Sequence, residues 1–409
     1  MEQTGESMKK LIEQRLLAKL DYSRESTDEE VKELIDNLFL QEEVLRLWTV
    51  KERQQLKQEI FCALRRLDIL QVLLEDNSIT EIMINGPDQL FVERAGRIEA
   101  LTEHFESREK YLHVIQKIVA DCNRSVNEAS PIVDARLGDG SRVNVVLDPI
   151  AINGPIVTIR RFPDKPVTME QLIAWNSISR EAAEELKELV QAGYNIFISG
   201  GTGSGKTTFL NVLSGFIPWD ERVITIEDSA ELQLQGIPNL IRMETRNENV
   251  EGCNAISIRD LIRASLRMRP DRIIVGEVRG SEAVDMMTAF NTGHDGSMST
   301  GHANSAADML GRLQTMILMG MELPLEAVKQ QIASAIDIVV HLGRMRDKSR
   351  KVLEIVELEG CAEGEIILHT LYQFEENGES SKGMVSGQLI KKGELKHVNK
   401  LKAAGFALS

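Results

Sequence analysis

Eight consecutive residues near the middle of the chain have the composition of a phosphate-binding loop. They are Gly200, Gly201, Thr202, Gly203, Ser204, Gly205, Lys206 and Thr207. Their spacing fits the pattern G-x4-G-K-[ST], in which glycines let backbone N–H groups turn toward phosphates without an obstructing Cβ. We expect this loop, together with Thr208, to bind a nucleotide. Lys206 should reach the β- and γ-phosphates in catalysis, and the Thr207 hydroxyl should ligate Mg²⁺.

Carboxylates at the ends of two apolar runs suit a hydrolytic step. The run RIIVG is followed by Glu277, our candidate general base for activating water. The run VITIE ends in Glu227, and Asp228 and Glu231 follow. Because the carboxyl ends of strands line the ligand crevice of an open α/β sheet, these carboxylates could hold Mg²⁺-bound water, with Glu227 as a second catalytic candidate. Capping of a following helix by Asp228 is the alternative.

Histidines and arginines near these motifs could also act on phosphate. The stretch TGHDGSMSTGHAN contains His294 and His302, which could donate hydrogen bonds to a γ-phosphate, although a lone histidine is more often structural. Guanidinium groups bind phosphate in a planar fork, but we expect most arginines to be solvated or paired with acids. Those before the loop are Arg136, Arg142, Arg160 and Arg161, and those after it are Arg263, Arg267, Arg269, Arg272 and Arg279.

The elements that must position these residues follow from hydrophobic periodicity. The runs NIFIS, VITIE and RIIVGEV alternate with helical patterns, beginning with a helix from Ser179 to about Gln191. Such alternation predicts a mostly parallel sheet covered by helices on both faces, which we place at residues 176–345. The segment 346–409 should contain a β-hairpin, EIVELEG with EIILHTLYQF, and a polar tail.

The first 175 residues predict three further parts. Residues 1–68 form a helical segment, in which Thr27 and Glu30 have the spacing of a capping box. Residues 69–162 form a small α+β domain with a helix near 108–122. Residues 163–175 form a linker, because Pro163 and Pro166 disfavour both helix and strand.

Composition excludes several classes of protein. The chain carries 63 acidic and 48 basic side chains, so its net charge of -15 would repel a nucleic-acid backbone and we expect no nucleic-acid partner. The four cysteines lack metal-ligand spacing, which predicts no zinc site and a reducing compartment. No apolar run reaches the roughly 18 residues that a membrane span needs. We therefore expect a cytoplasmic protein with at most peripheral membrane contact.

With these motifs in place, the chain resembles the secretion and type IV pilus ATPase superfamily, in particular the tight-adherence (Flp) pilus branch called CpaF or TadA. The resemblance covers about residues 65–375. It is carried by SITEIMINGPDQLFVERAGRI, DARLGDGSRVN, TIRRF, ITIEDSAEL, RMRPDRIIVGEVRG and GHDGSMSTGHAN. It implies an α/β fold with a RecA-like P-loop ATPase domain, preceded by a small α+β, PAS-like domain and an N-terminal helical segment.

The resemblance also assigns roles to individual residues. The acidic box contains Glu227, Asp228 and Glu231, the His box contains His294 and His302, and the Walker B element contains the catalytic Glu277. Arginines of the small domain are expected to approach nucleotide, sometimes from a neighbouring subunit. The candidates are Arg136, Arg142, Arg160 and Arg161.

The function that the resemblance implies is hydrolysis of ATP, with Mg²⁺, by a homo-hexameric ring. The ring would drive an integral-membrane platform protein to assemble or export pilin, from the inner face of the cytoplasmic membrane. The chain lacks the tetracysteine zinc motif of many type II secretion ATPases, which favours the tight-adherence branch.

Two other functions stay open. The chain could be a nucleotide-dependent assembly or regulatory module with little hydrolysis, although such a module has no need for Glu277. It could also be a small-molecule kinase on the same scaffold, although the additional domain shows no evident acceptor pocket.

Overall fold

The computed structural model of the chain divides into two compact units, Met1–Asp164 and Lys165–Ser409. It describes most of the chain, and every structural statement below concerns the residues that it describes. These are 11, 12, 15, 16, 19, 27–42, 45, 48–65, 67–94, 96–122, 124–161, 166–246, 255–379 and 383–406.

The first unit begins with helices α1 (Asp28–Gln41), α2 (Val50–Arg65) and α3 (Ile69–Glu75). The predicted capping box starts α1: the Thr27 hydroxyl accepts the N–H of Glu30 at 3.3 Å, and the Glu30 carboxylate accepts the N–H of Thr27 at 2.9 Å. The inward stripe of α1 includes Val31, Ile35 and Leu38, which belong to one buried cluster. Most of the predicted helical segment before Thr27 lies outside the described residues.

A small antiparallel sheet follows in the same unit, in the order β3-β2-β1-β6-β5-β4. Its buried residues alternate along the strands and pack with helix α4 (Arg108–Asp121), as a sheet with one covered face requires. The opposite face is partly exposed and mixes polar and charged side chains with apolar ones such as Met83 and Phe91. The strands are β1 (Ile79–Asn85), β2 (Leu90–Arg94), β3 (Arg97–Ala100), β4 (Ile132–Arg136), β5 (Arg142–Val146) and β6 (Ile156–Arg160).

The second unit is built on a large sheet of nine strands, in the order β15-β14-β13-β12-β7-β11-β10-β8-β9. Strands β12, β7, β11, β10, β8 and β9 pair in parallel, and β13, β14 and β15 add antiparallel strands. The strands are β7 (Ile196–Gly200), β8 (Arg222–Glu227), β9 (Asn239–Glu244), β10 (Arg272–Val275), β11 (Met298–His302), β12 (Ile338–Arg344), β13 (Arg350–Ala362), β14 (Glu365–Glu379) and β15 (Val385–Lys391).

Helices cover both faces of this sheet, because its central strands are apolar on both sides. Along β7, Ile196 and Ile198 join one buried cluster and Phe197 joins another. The helices are α5 (Met169–Ala174), α6 (Arg180–Gln191), α7 (Lys206–Ser214), α8 (Ile258–Ser265), α9 (Ala283–Phe290), α10 (Ala306–Gly320), α11 (Leu325–Ala335) and α12 (Asn399–Ala403). No helix among the described residues is long and apolar enough to cross a membrane. The predicted α/β fold class is confirmed.

The structure differs from the predicted organisation at two places in this unit. Helix α5 lies within 163–175, the predicted linker, and it begins at a capping box of Thr168 and Gln171 that the two prolines obscured. Pro163 itself lies outside the described residues. The C-terminal hairpin is present as β13 and β14, but it extends the large sheet and is followed by β15 and α12. The predicted domain boundaries stay predictions.

Candidate active site at the phosphate-binding loop

The predicted phosphate-binding loop joins the end of β7 to the start of α7. Gly203 and Gly205 have φ angles of +70° and +95°, a region that favours glycine. A Cβ on Gly200 would lie 2.5 Å from the carbonyl oxygen of Leu342 on β12. Glycine at this position therefore lets the strand end pass close to its neighbour, and the loop turns back into the helix N-terminus.

Lys206 lies inside the loop and is only 8% exposed. Its Nζ donates to the carbonyl oxygens of Gly200 at 3.1 Å and Gly201 at 3.0 Å. The Ser204 hydroxyl is buried and has no hydrogen-bond partner within the part of the chain that the structure describes. Buried polar groups are normally hydrogen-bonded, so this hydroxyl, the positive helix end and the lysine fit a bound phosphate chain.

Glu277 and His302 stand next to Lys206 at the carboxyl ends of β10 and β11. His302 Nδ1 lies 3.3 Å from Lys206 Nζ, and His302 Nε2 lies 2.8 Å from Glu277 Oε1. The other oxygen of Glu277 accepts from the Arg279 guanidinium at 2.7 Å. A cation, an imidazole and a carboxylate thus form one connected row.

The protonation of His302 follows from its two neighbours. An ammonium group can only donate, so Nδ1 accepts from Lys206 and the ring proton of neutral His302 is on Nε2, which lies within ion-pair distance of Glu277 Oε1 but is not aligned for a hydrogen bond. Burial first, and the charge of Lys206 second, lower the pKa of His302 against the opposing effect of Glu277. His302 is therefore neutral near pH 7 and connects the phosphate-binding lysine to the carboxylate.

Glu227 is the most buried carboxylate of the predicted site, with 3% of the residue exposed. Its Oε2 accepts the N–H groups of Glu231 at 2.6 Å and Leu232 at 2.8 Å, while Oε1 has no partner among the described residues. Burial raises the pKa of Glu227 to about 7. A Cβ on Gly276 would lie 2.9 Å from Glu227 Cγ, so glycine after β10 makes room for this side chain.

The acidic box is irregular, and the alternative of a helix capped by Asp228 is not what the structure has. Residues 228–238 form neither helix nor strand, and β9 follows them. Thr245 donates to the backbone oxygen and to Oδ1 of Asp228, both at 2.9 Å, so Asp228 holds a loop and caps no helix. The backbone N–H groups of Glu231 and Leu232 in this irregular segment donate to Glu227. Two threonines follow Lys206 at the start of helix α7. Thr207, the predicted Mg²⁺ ligand, is half-buried, and Thr208, which was predicted to help bind the nucleotide, is exposed.

A family model described as "Type II/IV secretion system protein" matches residues 64–385. That span includes the phosphate-binding loop, both carboxylates and both histidines. The chain belongs to this family. With a phosphate-binding loop beside a carboxylate that can activate water, this secretion-family protein is an ATPase that binds nucleotide.

Similarity to individual proteins agrees with the family. A putative conjugal transfer protein of Mycobacterium tuberculosis is 34% identical over 310 residues, which is 74% of this chain and 87% of that protein. The type IV secretion system protein VirB11 of Brucella suis is 32% identical over 303 residues, 68% of this chain and 84% of that protein. The crystal structure of the pilus retraction motor PilT with bound ADP has the same fold, with a TM-score of 0.50 at 21% identity over 81% of this chain and 84% of that one.

The two histidines of the His box lie at opposite ends of β11 in this secretion ATPase. His294 precedes the strand and His302 ends it. His294 Nδ1 lies 3.1 Å from the carbonyl oxygen of Ala289, so it holds the turn after α9. The predicted role of His294 beside the γ-phosphate is not supported, because the strand carries its two ends to different edges of the sheet.

The four arginines predicted in the small domain separate into two groups. Arg136, Arg142 and Arg160 are direct cross-strand partners on β4, β5 and β6, so they share one face of the small sheet. Arg161 donates to the backbone oxygens of Asp76 and Ile79 and to the amide oxygen of Asn77. Arg161 is therefore a structural residue that holds the turn before β1.

Several residues near the loop of this ATPase were not anticipated. Ser199, just before the loop, has its hydroxyl 2.8 Å from His341 Nδ1 in the buried interior. A cleft of about 640 Å³ opens beside Thr202 and His302 and is also lined by Asp308 and Arg312 of α10. The i, i+4 spacing of Asp308 and Arg312 was visible in the sequence, but His341 lies in an apolar strand that gives no functional signal.

Proposed function

We propose that this secretion-family ATPase is the motor of a tight-adherence (Flp) pilus or a closely related export machine. In this proposal it acts as a homo-hexameric ring on an integral-membrane platform protein, at the inner face of the cytoplasmic membrane. The observation that carries the hydrolytic part is the connected row of Lys206, His302 and Glu277. A protein that only binds nucleotide has no use for a carboxylate in this position.

In the proposed reaction Lys206 and the loop amides hold the phosphates of ATP. Glu277 accepts a proton from the attacking water. His302 lies beside Glu277 and helps to orient its carboxylate, and because His302 is neutral it adds no positive charge that would weaken Glu277 as a base. Thr207 and the ionised carboxylate of Glu227 would hold Mg²⁺, directly or through water. When bound, the metal neutralises charge that develops on the phosphates.

Glu227 has the environment expected of such a group. Its partnerless Oε1 and its pKa of about 7 describe a carboxylate that is costly to ionise in isolation. A cation nearby would reverse that cost, because a positive charge favours the ionised form. The buried carboxylate is therefore suited to a site that contains a metal ion while ATP is bound.

The arginine row of the small sheet supports a shared active site. Three arginines that share one face of the small sheet concentrate positive charge there, and guanidinium groups suit the oxygens of a phosphate. Arg160 is also paired across β1 and β6 with Glu81, so the row ends in a carboxylate. We propose that the row stabilises the γ-phosphate in the neighbouring subunit of the ring.

The proposed machine follows from the motifs and from the relatives. The relatives described above are named as a putative conjugal transfer protein, a type IV secretion system protein and a pilus retraction motor. The absent tetracysteine motif favours the tight-adherence branch over type II secretion ATPases, and the segments SITEIMINGPDQLFVERAGRI and DARLGDGSRVN carry the resemblance to that branch.

Mixing two inactive variants tests both the catalytic role of Glu277 and the sharing of the active site between two subunits. Glu277→Gln removes the proposed base, so phosphate release should fall about 10²–10⁴-fold. Arg142→Ala should cost about 10²-fold by removing charge stabilisation. In an equal mixture, about a quarter of the interfaces would combine an intact Glu277 with an intact Arg142, if each site takes one from each of two subunits.

The outcomes separate the parts of the proposal. Recovery of activity on mixing supports a site shared between subunits, and an inactive mixture of exchanging subunits contradicts it. Full phosphate release by Glu277→Gln alone would contradict the proposed role of Glu277 in hydrolysis and favour the assembly or regulatory module. Arg97→Ala, an exposed arginine on β3 of the same small sheet, is the matched control and should retain wild-type activity.

A further inference from the structure

Two arginines approach the phosphate-binding loop from a hairpin of the same subunit. Arg344 ends β12 and Arg350 begins β13, and the two are direct partners across the antiparallel pair. The turn between them is closed by a hydrogen bond from the N–H of Met345 to the carbonyl oxygen of Ser349, at 2.8 Å. Two guanidinium groups are therefore presented side by side at the mouth of one tight hairpin.

Both side chains lie against the glycines of the loop. Arg350 Nε donates to the carbonyl oxygen of Gly203 at 3.0 Å. Its Cδ lies 3.3 Å from the position that a Cβ would take on Gly205, and Arg344 Nη1 lies 3.5 Å from the corresponding position on Gly203. The hairpin thus brings positive charge to the part of the loop that curves around the phosphates.

The order of strands indicates which end of a nucleotide these arginines would face. β7 lies between β11 and β12. His302 and Glu277 come from the β11 and β10 side, where the γ-phosphate must lie if Lys206 reaches the β- and γ-phosphates. The hairpin comes from the opposite side of β7. A phosphate chain that ends near His302 therefore has its α-phosphate end toward the hairpin.

We propose that Arg344 and Arg350 bind the α- and β-phosphates of the nucleotide within one subunit. Their fork-shaped donors suit these oxygens, and their contact with Gly203 couples the hairpin to the loop. This role rests on the proposed ATP site. It differs from that of the arginine row of the small sheet, which acts at the γ-phosphate during hydrolysis.

The same turn provides a matched control. Arg346 directs its guanidinium to Glu376 at 2.6 and 2.9 Å and to Glu379 at 2.6 Å, both on β14. The positive charge of Arg346 is paired with those two carboxylates. Arg346→Ala therefore removes a guanidinium from the same turn without removing one that faces the loop.

Binding of ADP and of a non-hydrolysable ATP analogue tests the proposal without turnover. Each of Arg344→Ala and Arg350→Ala should weaken both ligands about tenfold, the usual effect of losing one charge-assisted hydrogen bond. ADP and the analogue should lose affinity equally, because the α- and β-phosphates are common to them. The lysine variants should recover part of the loss, and Arg346→Ala should bind as the wild type does.

Unchanged affinity for ADP in both alanine variants would overturn the proposal. A loss confined to the ATP analogue would overturn it too, since it would place the arginines at the γ-phosphate. A lowered unfolding midpoint without rescue by lysine would indicate a structural role of the hairpin. Failure of the proposed function shows separately, as undiminished phosphate release by Glu277→Gln, and leaves the ADP measurement valid.

Discussion

Strand β10 carries a charged residue at each end, and the two residues are used differently. At its start, Arg272 is 2% exposed and donates Nη2 to Glu221 at 2.8 Å and Nη1 to the carbonyl oxygen of Val190 at 2.6 Å. Beyond its other end, Glu277 keeps 21% of its side chain exposed and shares its two oxygens between His302 and Arg279. At the amino edge of the large sheet, where the parallel strands begin, Arg272 is paired with groups inside the protein. At the carboxyl edge, where they end, Glu277 remains partly exposed to solvent.

The histidines of β11 repeat this contrast. His294, at the amino edge, donates to a carbonyl oxygen within a turn, whereas His302, at the carboxyl edge, lies between Lys206 and Glu277. Residue type therefore does not distinguish structural residues from proposed catalytic residues in this protein. Position along a parallel strand does, because the loops that bind ligands gather at the carboxyl edge.

The largest effect on folding is expected from Glu221→Gln at the amino edge. Arg272 would keep its buried charge but lose its ionic partner, so the free energy of unfolding should fall by about 3 kcal/mol. The turnover number of the folded protein should stay within about twofold, since Glu221 is remote from the loop along the strand.

Chemical denaturation and phosphate release measure the two quantities. Glu277→Gln is the reciprocal variant, and it should leave the unfolding midpoint unchanged while turnover collapses. Equal stability of the Glu221→Gln protein and the wild type would contradict this assignment, because the ion pair at the amino end of the strands would then contribute nothing to stability.

A smaller effect, dependent on pH, is expected from Glu227→Gln. Burial raises the folded-state pKa of Glu227 to about 7, whereas in the unfolded chain the pKa of a glutamate is near its ordinary value of 4.5. The folded state binds more protons in this window, so the free energy of unfolding of the wild type should fall as pH rises from about 4.5 to 7 and level off above.

The neutral glutamine has no proton to lose, so Glu227→Gln should not show this fall. We expect the variant to match the wild type near pH 4.5 and to exceed it by on the order of 2–3 kcal/mol at pH 8 without Mg²⁺. Asp228→Asn, which changes the exposed neighbouring carboxylate, is the control. Parallel stability curves of wild type and Glu227→Gln would show that burial does not raise this pKa.

The smallest effect distinguishes the two histidines. His302→Gln should lower turnover about tenfold, because the glutamine amide replaces the imidazole imperfectly between Lys206 and Glu277. His294→Gln should change turnover by less than about twofold, since only a turn contact is altered. Similar losses in the two variants would contradict the assignment of the histidines to different edges.

The local features of the chain were readable from its sequence because they depend on neighbours within a few residues. The phosphate-binding loop was recognisable from its glycines and lysine. The helix starts at Thr27 and Ser179 were recognisable too, and in the structure both residues cap their helices over three positions. The position of Glu277 after an apolar strand was predicted in the same way. Even local signals compete, as α5 shows, where two prolines obscured a capping box.

Only the tertiary structure decided which of these local features meet. The neighbours of β7 are β11 and β12, which lie roughly a hundred residues or more further along the chain, and no short-range pattern specifies such pairing. That order brings His302 and the Arg344–Arg350 hairpin to opposite sides of the loop and leaves His294 at the other edge. The tertiary structure also decided that the acidic box is an irregular segment, in which the buried carboxylate of Glu227 accepts the N–H groups of Glu231 and Leu232.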